Sequence, residues 1–309
     1  MYIMILSILG FRPYNVSVGR SYVILVVDST VMIDHQDLNA WGVEVVNYPM
    51  YLDSKRIDAS MDMSEEAKEE IRLLLKDKKR RVNTSGLREE DLLAVFRKYP
   101  DEPILCLLQS SVATTASIQV ISKVIKEHPE LDITHYDSQH LASGYGVIAR
   151  EAALRMQAGA SREEMDAFLK AAPLRSRLFG VIYDLFYLKR NGRIGAVQAI
   201  MGTAMRIIPI LTSTDPPGTL KSAGKVKKPA QAIRKIISNI EKDRELWPEA
   251  SLSAIVSVVG PHKDEGEELI AAIKEHDPDA NVALYGYSHS MLPHVGPDFF
   301  DVGYLLMDS

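Results

Sequence analysis

A single cysteine, Cys106, is present in a chain of 309 residues. That excludes an internal disulfide and any metal site built on several thiolates. Its surroundings, Pro103-Ile104-Leu105-Cys106-Leu107-Leu108, are apolar, so a buried, inert thiol is expected rather than a nucleophile. A basic excess is missing too: the formal net charge is −5, which argues against a dedicated nucleic-acid binder. No segment reaches the length of a membrane-spanning helix. Residues 1–11 are apolar but short, with neither a basic start nor a small-residue cleavage site after them. Residues 1–21 are therefore expected to form a disordered or loosely docked extension, with a surface membrane tether as the alternative. The body is expected to be cytoplasmic. A Gly-x-Ser-x-Gly elbow is absent, which weighs against a serine hydrolase, and no internal repeat is visible.

What is present is an ordinary globular balance, 46% apolar and 25% charged residues, at a length suited to one large or two ordinary domains. From residue 22 short β-branched runs alternate with amphipathic helices, the pattern of βαβ units and a mainly parallel sheet. Strands are expected at 22–27, 43–52, 104–108 and 132–136. Helices are expected from a cap at Asp62 to about 79, at 88–99, to 128 and on to 177. The first of these ends in a basic cluster, 76–81, which suits the negative end of a helix dipole. Asn83-Thr84-Ser85-Gly86 reads as a loop. Beyond 177 the alternation loosens, with strands at 178–183, 207–212, 220–226, 253–259, 282–286 and 302–307 and helices at 229–242 and 263–276. The expected fold is α/β: an N-terminal parallel-sheet, Rossmann-like domain over 22–175, packed against a second α/β domain over 176–309. No low-complexity linker separates them, so tight packing is expected.

Ligands of open parallel sheets gather at the carboxyl ends of the strands. Three polar clusters fall there: Asp28-Ser29-Thr30, the run Ser110 to Thr115, and Asp137-Ser138. Thr84-Ser85 lies between them in sequence. The set is rich in hydroxyls and backbone N–H groups and poor in histidine or paired carboxylates. It can hold an anion through neutral donors and helix N-termini, and it supplies no general base. Each residue alone is more often a helix cap; their recurrence at strand ends, together with a family resemblance, is what favours a site.

These clusters, in this order and spacing, resemble the DegV family. The second half carries further likeness: Tyr187-Leu188-Lys189-Arg190-Asn191-Gly192-Arg193-Ile194 is similar to the family's Tyr-Leu-x-x-Gly-Gly-Arg-Ile, Pro209-Ile210-Leu211 follows, and His294-Val295-Gly296-Pro297 is similar to its terminal His-x-Gly-Pro-Gly. The resemblance covers about residues 22–309. It implies a protein that is not itself an enzyme, binds a long-chain fatty acid between two domains, and presents its carboxylate to a separate fatty acid kinase. Carried over, Thr84 and Thr114 would hold the carboxylate with His294 close by. Asp28, Ser29, Ser85, Ser110, Ser111 and Gly296 would complete the site. Arg193, on a charged turn expected to lie away from the apolar tunnel, would contact a phosphate, a partner or an anionic membrane. No cofactor and no metal are implied; the spacings of His262, His289 and His294 match no close-coupled zinc motif.

Three departures stand out. Gly86-Leu87 replaces Gln-Pro, Thr115 takes a glycine position where positive φ would be costly, and Asp298 replaces the last glycine, where its carboxylate is expected either to raise the His294 pKa or to repel a fatty-acid carboxylate. The competing reading is an enzyme related to dihydroxyacetone kinase. It would need a nucleophilic histidine at the first sheet's carboxyl edge, and His35, His128, His135 and His140 have no support for that role.

Overall fold

A computed structural model describes residues 23–57, 59–195, 197, 207–214 and 217–308. The expected extension over 1–21 lies outside them. The first sheet is built from β1 (Ile24–Asp28), β2 (Glu44–Val46), β6 (Ile104–Leu108) and β7 (Ile133–Asp137), in the order β2-β1-β6-β7 and parallel throughout. Its strands are apolar on both faces because both are covered. Leu25, Val27, Leu105 and Leu107 face one core, whereas Val26, Ile104, Cys106 and Leu108 face the other. Cys106 is fully buried, and that burial pushes its thiol well above the ordinary range.

The chain leaves β1 toward β2 and returns on the other side of β1 at β6, so strand order reverses between Asp28 and Leu108. Between β2 and β6 it inserts a small antiparallel sheet of β3 (Met50–Leu52), β4 (Lys55–Ile57) and β5 (Val82–Thr84), together with α2 (Glu65–Lys76) and α3 (Glu89–Phe96). Two expectations change here. Thr84 ends a strand rather than sitting in a free loop, because its segment pairs with Met50–Leu52. The α2 cap is Ser64, whose hydroxyl accepts from Ala67 N, and Asp62 instead accepts from Ser60. A short α1 (His35–Ala40) links β1 to β2.

α4 (Thr115–Glu127) follows β6. After β7 come α5 (Ala142–Gln157) and α6 (Arg162–Arg175), and β8 (Ser176–Ile182) then starts a six-stranded mixed sheet. Its other members are β9 (Ile208–Thr212), β10 (Lys221–Val226), β11 (Ser251–Val259), β12 (Asn281–Tyr285) and β13 (Phe299–Met307), ordered β10-β9-β8-β13-β11-β12. Two amphipathic helices, α8 (Pro229–Leu246) and α9 (Lys263–His276), cover its outer face through Ile233, Ile236, Ile240, Leu269 and Ile273. The inner face meets α5, whose residues from Ala142 to Ala153 are all buried. Contact is so close that a Cβ on Gly303 of β13 would lie 2.0 Å from the Ser143 carbonyl carbon. Glycine is required there for steric reasons alone. One continuous core joins Val27 and Leu107 of the first sheet to Ile255 and Leu305 of the second. Among the described residues no helix is long and apolar enough to cross a membrane.

Candidate functional site

The reversal of strand order leaves a crevice at the carboxyl ends of β1 and β6. A cavity of about 490 Å³ opens there, bounded by Thr30, Gln109 and Thr114 on the first sheet's side and by Leu178, Gly180, Ile182, Leu211 and Phe299 on the second's. That volume lies within the range of small-molecule clefts. Sequence alternation on β8 decides which side chains reach it: Leu178 and Ile182 point inward, while Phe179 and Val181 face the outer helices.

Thr84 reaches the cavity from the end of β5 and meets His294, with Oγ1 and Nε2 2.9 Å apart. His294 is presented by a one-turn helix, α10 (Leu292–Val295), that has Pro293 in its first turn and is ended by Gly296 at φ +88°. Proline suits the first turn because its missing N–H has no partner there anyway. A Cβ on Gly296 would stand 2.4 Å from the Tyr187 ring. Tyr187 belongs to α7 (Phe186–Arg190) and donates to the Leu75 carbonyl at 2.7 Å, and Asn191 Nδ2 donates to the Pro293 carbonyl. The two sequence motifs of the second half thus dock on each other and hold His294 against Thr84.

Burial, aided by Arg193 and then Arg190, pushes the His294 pKa down to about 4, so the ring is neutral near pH 7. Its shielded Nδ1 has no hydrogen-bond partner among the described residues. A bare lone pair costs less to bury than an unmatched N–H. The favoured tautomer therefore carries its proton on Nε2 and donates to Thr84, leaving the threonine's own proton free to point at a ligand.

Thr114 is tied differently. Its hydroxyl donates to Ser117 Oγ at 2.7 Å and lies 3.0 Å from Tyr48 Oη. Tyr48 and Gln109, both on the cavity wall, join it to Asp28, which accepts from Gln109 N at 2.8 Å, from Thr30 N at 2.9 Å and from the Thr30 hydroxyl. Burial raises the Asp28 pKa to about 6 against those bonds. Ser85 lines the cavity, exposed, with its N–H on the Pro49 carbonyl. Asp28, Ser29, Ser110, Ser111 and Gly296 lie outside the wall. Ser29 meets Ser290 Oγ at 2.7 Å and accepts from Tyr48 N, Ser110 accepts from Val112 N, and the Ser111 N–H goes to Asp137.

Arg193 does not lie away from the cavity as expected: it is exposed but lines the wall, its Nη1 3.1 Å from the Asn191 carbonyl. The chain brings it there because the Arg193 N–H closes back on the Leu188 carbonyl at 2.7 Å. The three departures are likewise placed. Thr115 is the first residue of α4 and is not among the residues at positive φ. Asp298 faces Arg72 at 3.7 Å, which draws its charge away from His294. Gly86 packs close to Ala116, where a Cβ would lie 3.1 Å from the alanine's own. The remaining histidines are scattered: His262 stacks on Tyr183 at 4.3 Å, and His289 bonds Ser290 at 3.1 Å.

The DegV family model (uncharacterised protein, DegV family) matches residues 23–306. The chain belongs to the DegV family. The DegV domain-containing protein TTE1491 of Caldanaerobacter subterraneus subsp. tengcongensis is 28% identical over 283 residues, 89% of this chain and 95% of that one. YteA of Lactococcus lactis, also a DegV domain-containing protein, is 32% identical over 223 residues, 70% of this chain and 74% of its own. Among solved structures, a fatty-acid-binding DegV family protein from Thermus thermophilus superposes with a TM-score of 0.81 at 22% identity, covering 94% of this chain and all of that one. A stearic-acid-binding protein from Eubacterium ventriosum gives 0.75 at 21%, covering 91% and 97%. These likenesses establish the DegV fold for the two-sheet arrangement described above.

Sequence reading missed Tyr48, and a signal existed: Asn47-Tyr48-Pro49 follows the carboxyl end of β2 just as Ser29-Thr30 follows that of β1. The apolar wall had none, since Leu178, Leu211 and Phe299 look like any buried strand residues.

Proposed function

We propose that the protein binds one long-chain fatty acid in this cavity, with the carboxylate at the Thr84–His294 end and the chain along Leu178, Ile182, Leu211 and Phe299. The observation that carries the reading is one cavity with a hydroxyl-rich end from the first sheet and an apolar wall from the second. Relatives of the same fold described as fatty-acid binding support it. Burying a C16 chain gains on the order of 10 kcal/mol at about 0.8 kcal/mol per CH₂. That gain offsets desolvation of the carboxylate only if several donors meet the head group.

The protein works without catalysing a reaction itself: it presents the acid to a separate fatty acid kinase. Hydroxyl donors hold a carboxylate while leaving it nucleophilic, which an arginine fork does less well. The surface next to Arg193 fits handover to an anionic partner face. Segments 53–57, 76–81 and 184–193 carry ten basic and three acidic residues in a chain of net charge −5. They are joined by Arg80–Asp53 and Lys78–Asp184 ion pairs and by Arg190 donating to the Arg80 carbonyl at 2.8 Å. Brief contact with an anionic membrane would use the same charges. No cofactor is needed, and a cytoplasmic setting suits such a carrier. An enzyme of the dihydroxyacetone kinase type would place a histidine of the first half on the cavity, and His35, His128, His135 and His140 are not on its described wall. The test is solvent extraction of the purified protein with mass spectrometry, then calorimetric titration of the delipidated protein with C14–C18 acids. Failure to bind any of them ends the carrier reading.

A further inference from the structure

Resting on the fatty-acid reading, we infer that Asp301, on the apolar side of the cavity, takes up a proton when an acyl chain fills it, so that the ligand binds more tightly as pH falls. Side chains alternate along β13: Phe300, Val302 and Tyr304 face the outer helices, which leaves Phe299, Asp301 and Gly303 facing inward. Phe299 and Asp301 both reach the cavity wall. On β8 the residue paired with Asp301 is Gly180, between the inward-pointing Leu178 and Ile182, and it has no side chain to screen the carboxyl from the cavity. On the other side β11 pairs Ser257 with Asp301. The start of α5 completes the surroundings: Ser143 donates its hydroxyl to Asp301 at 2.6 Å and its N–H at 3.3 Å. These donors are neutral, and among the described residues no cation pairs with Asp301.

The titratable groups of the elements around it are turned elsewhere. On α5, Tyr145 donates to the Leu107 carbonyl, and Arg150 and Glu151 both bond Ser253 further along β11. His140, on the loop before α5, bonds the Pro173 carbonyl and is kept neutral by burial. Arg177 of β8 points outward to Asp243 at 3.1 Å, and β11 itself carries no titratable residue. Tyr48, His294 and Arg193 share the cavity wall with Asp301. The carboxylate form therefore rests on Ser143, Ser257 and solvent in the cavity. Burial already raises the Asp301 pKa to about 7 against those donors. An alkyl chain against Gly180 displaces the solvent and supplies no donor, which disfavours the charged form further. The loaded protein then has the higher pKa at this residue, and by linkage binding weakens as pH rises above about 7.

Palmitate is titrated into the delipidated full chain at pH 6.5 and pH 9 and, near pH 8, in two buffers of different ionisation enthalpy. The parent is expected to take up more than about half a proton per ligand near pH 8 and to lose about tenfold or more in affinity between the two pH values. Asp301→Asn keeps an acceptor for Ser143 and cannot ionise. Asp301→Ala leaves the Ser143 and Ser257 hydroxyls, 2.6 Å apart, to bond each other. Both variants should lose the proton uptake and bind palmitate more tightly than the parent at pH 9, a gain that misfolding cannot produce. Absence of uptake by the parent overturns the inference. Uptake that survives both substitutions overturns it too, since the proton then belongs to His294, Asp28 or the ligand's own carboxylate. Should the parent bind no palmitate at either pH, the carrier reading itself fails, and the role of Asp301 goes with it.

Discussion

The carboxyl edge of the parallel sheet and the inner face of the mixed sheet meet across one cavity and bring opposite chemistry to it. From the first come hydroxyls and amides on short loops, Thr30, Tyr48 and Gln109, joined by Thr84 from the end of β5 in the small sheet. From the second come flat strands carrying Leu178, Ile182, Leu211 and Phe299. Loops at strand ends can present polar atoms because their backbone groups are not all consumed by sheet pairing. A strand's inner face, with its backbone already bonded, offers only side chains. The exceptions from the second half are His294 and Arg193, on its loops and short helices, and Asp301 on β13, whose carboxyl accepts from the Ser143 hydroxyl. A ligand with one polar end and one long apolar body matches this division, and neither half alone would hold it.

The largest expected effect comes from filling the apolar side. A Cβ on Gly180 would meet Asp301 Cβ at an ordinary 3.7 Å, and Gly180 is not among the residues at positive φ. Gly180→Leu should therefore fold normally and push its branches into the cavity. Loss of C18 binding by two orders of magnitude or more is expected, with C12 affected least, and thermal midpoints should change little. Uniform weakening of all chain lengths would place the tail elsewhere.

Next in size is the polar side. Thr84→Val should cost about 1–2 kcal/mol in palmitate binding and much less for the methyl ester, because one donor to an anion is removed from a shielded site. Calorimetry on both ligands checks this, and matching losses would show that Thr84 serves packing.

A smaller effect separates buried titrating groups found in both halves. His140, His289 and His294 are each pushed down to about 4 by burial. Their contribution to stability is intact above the unfolded value of 6.5 and is lost as pH falls toward 4. Burial raises Asp28 to about 6 and Asp301 to about 7, the latter despite donors from Ser143 and Ser257. Their contribution is full below 3.8 and is lost as pH rises through those values. The two trends oppose each other between pH 4 and 6.5. His289→Asn should make the slope of thermal midpoint against pH less positive in that window, and Asp301→Asn should make it more positive. Unchanged slopes in both variants would contradict the assignment.

Arg193 carries the smallest effect. It is exposed, so Arg193→Ala should weaken palmitate by less than about 1 kcal/mol, and the difference should vanish in high salt. A salt-independent loss would instead make it a packing residue.

How much of this could be read in the chain depends on the range of the interaction. The strands at β1 and β6 declared themselves by apolar runs ending in polar triplets, and α8 and α9 by their helical spacing. Ser64 displaced Asp62 as a cap because the Asp62 carboxylate accepts from the Ser60 hydroxyl two residues before it, while Ser64 accepts from Ala67 N. Thr84 looked like part of a loop because a three-residue strand has too short a pattern to be seen alone; its pairing with Met50–Leu52 makes it one. Arg193 looked remote because sequence gives a charged turn but not where that turn is docked.

By itself the sequence determined the α/β alternation, the polar ends of the parallel strands and the motifs that mark a DegV protein, because each depends on neighbours within a few residues. Tertiary structure alone decided that Thr84 meets His294 from 210 positions away and that Tyr48 meets Thr114 from 66 positions away. Which side chains meet across such separations is set by the partners that folding brings within 3 Å, and no local pattern records them.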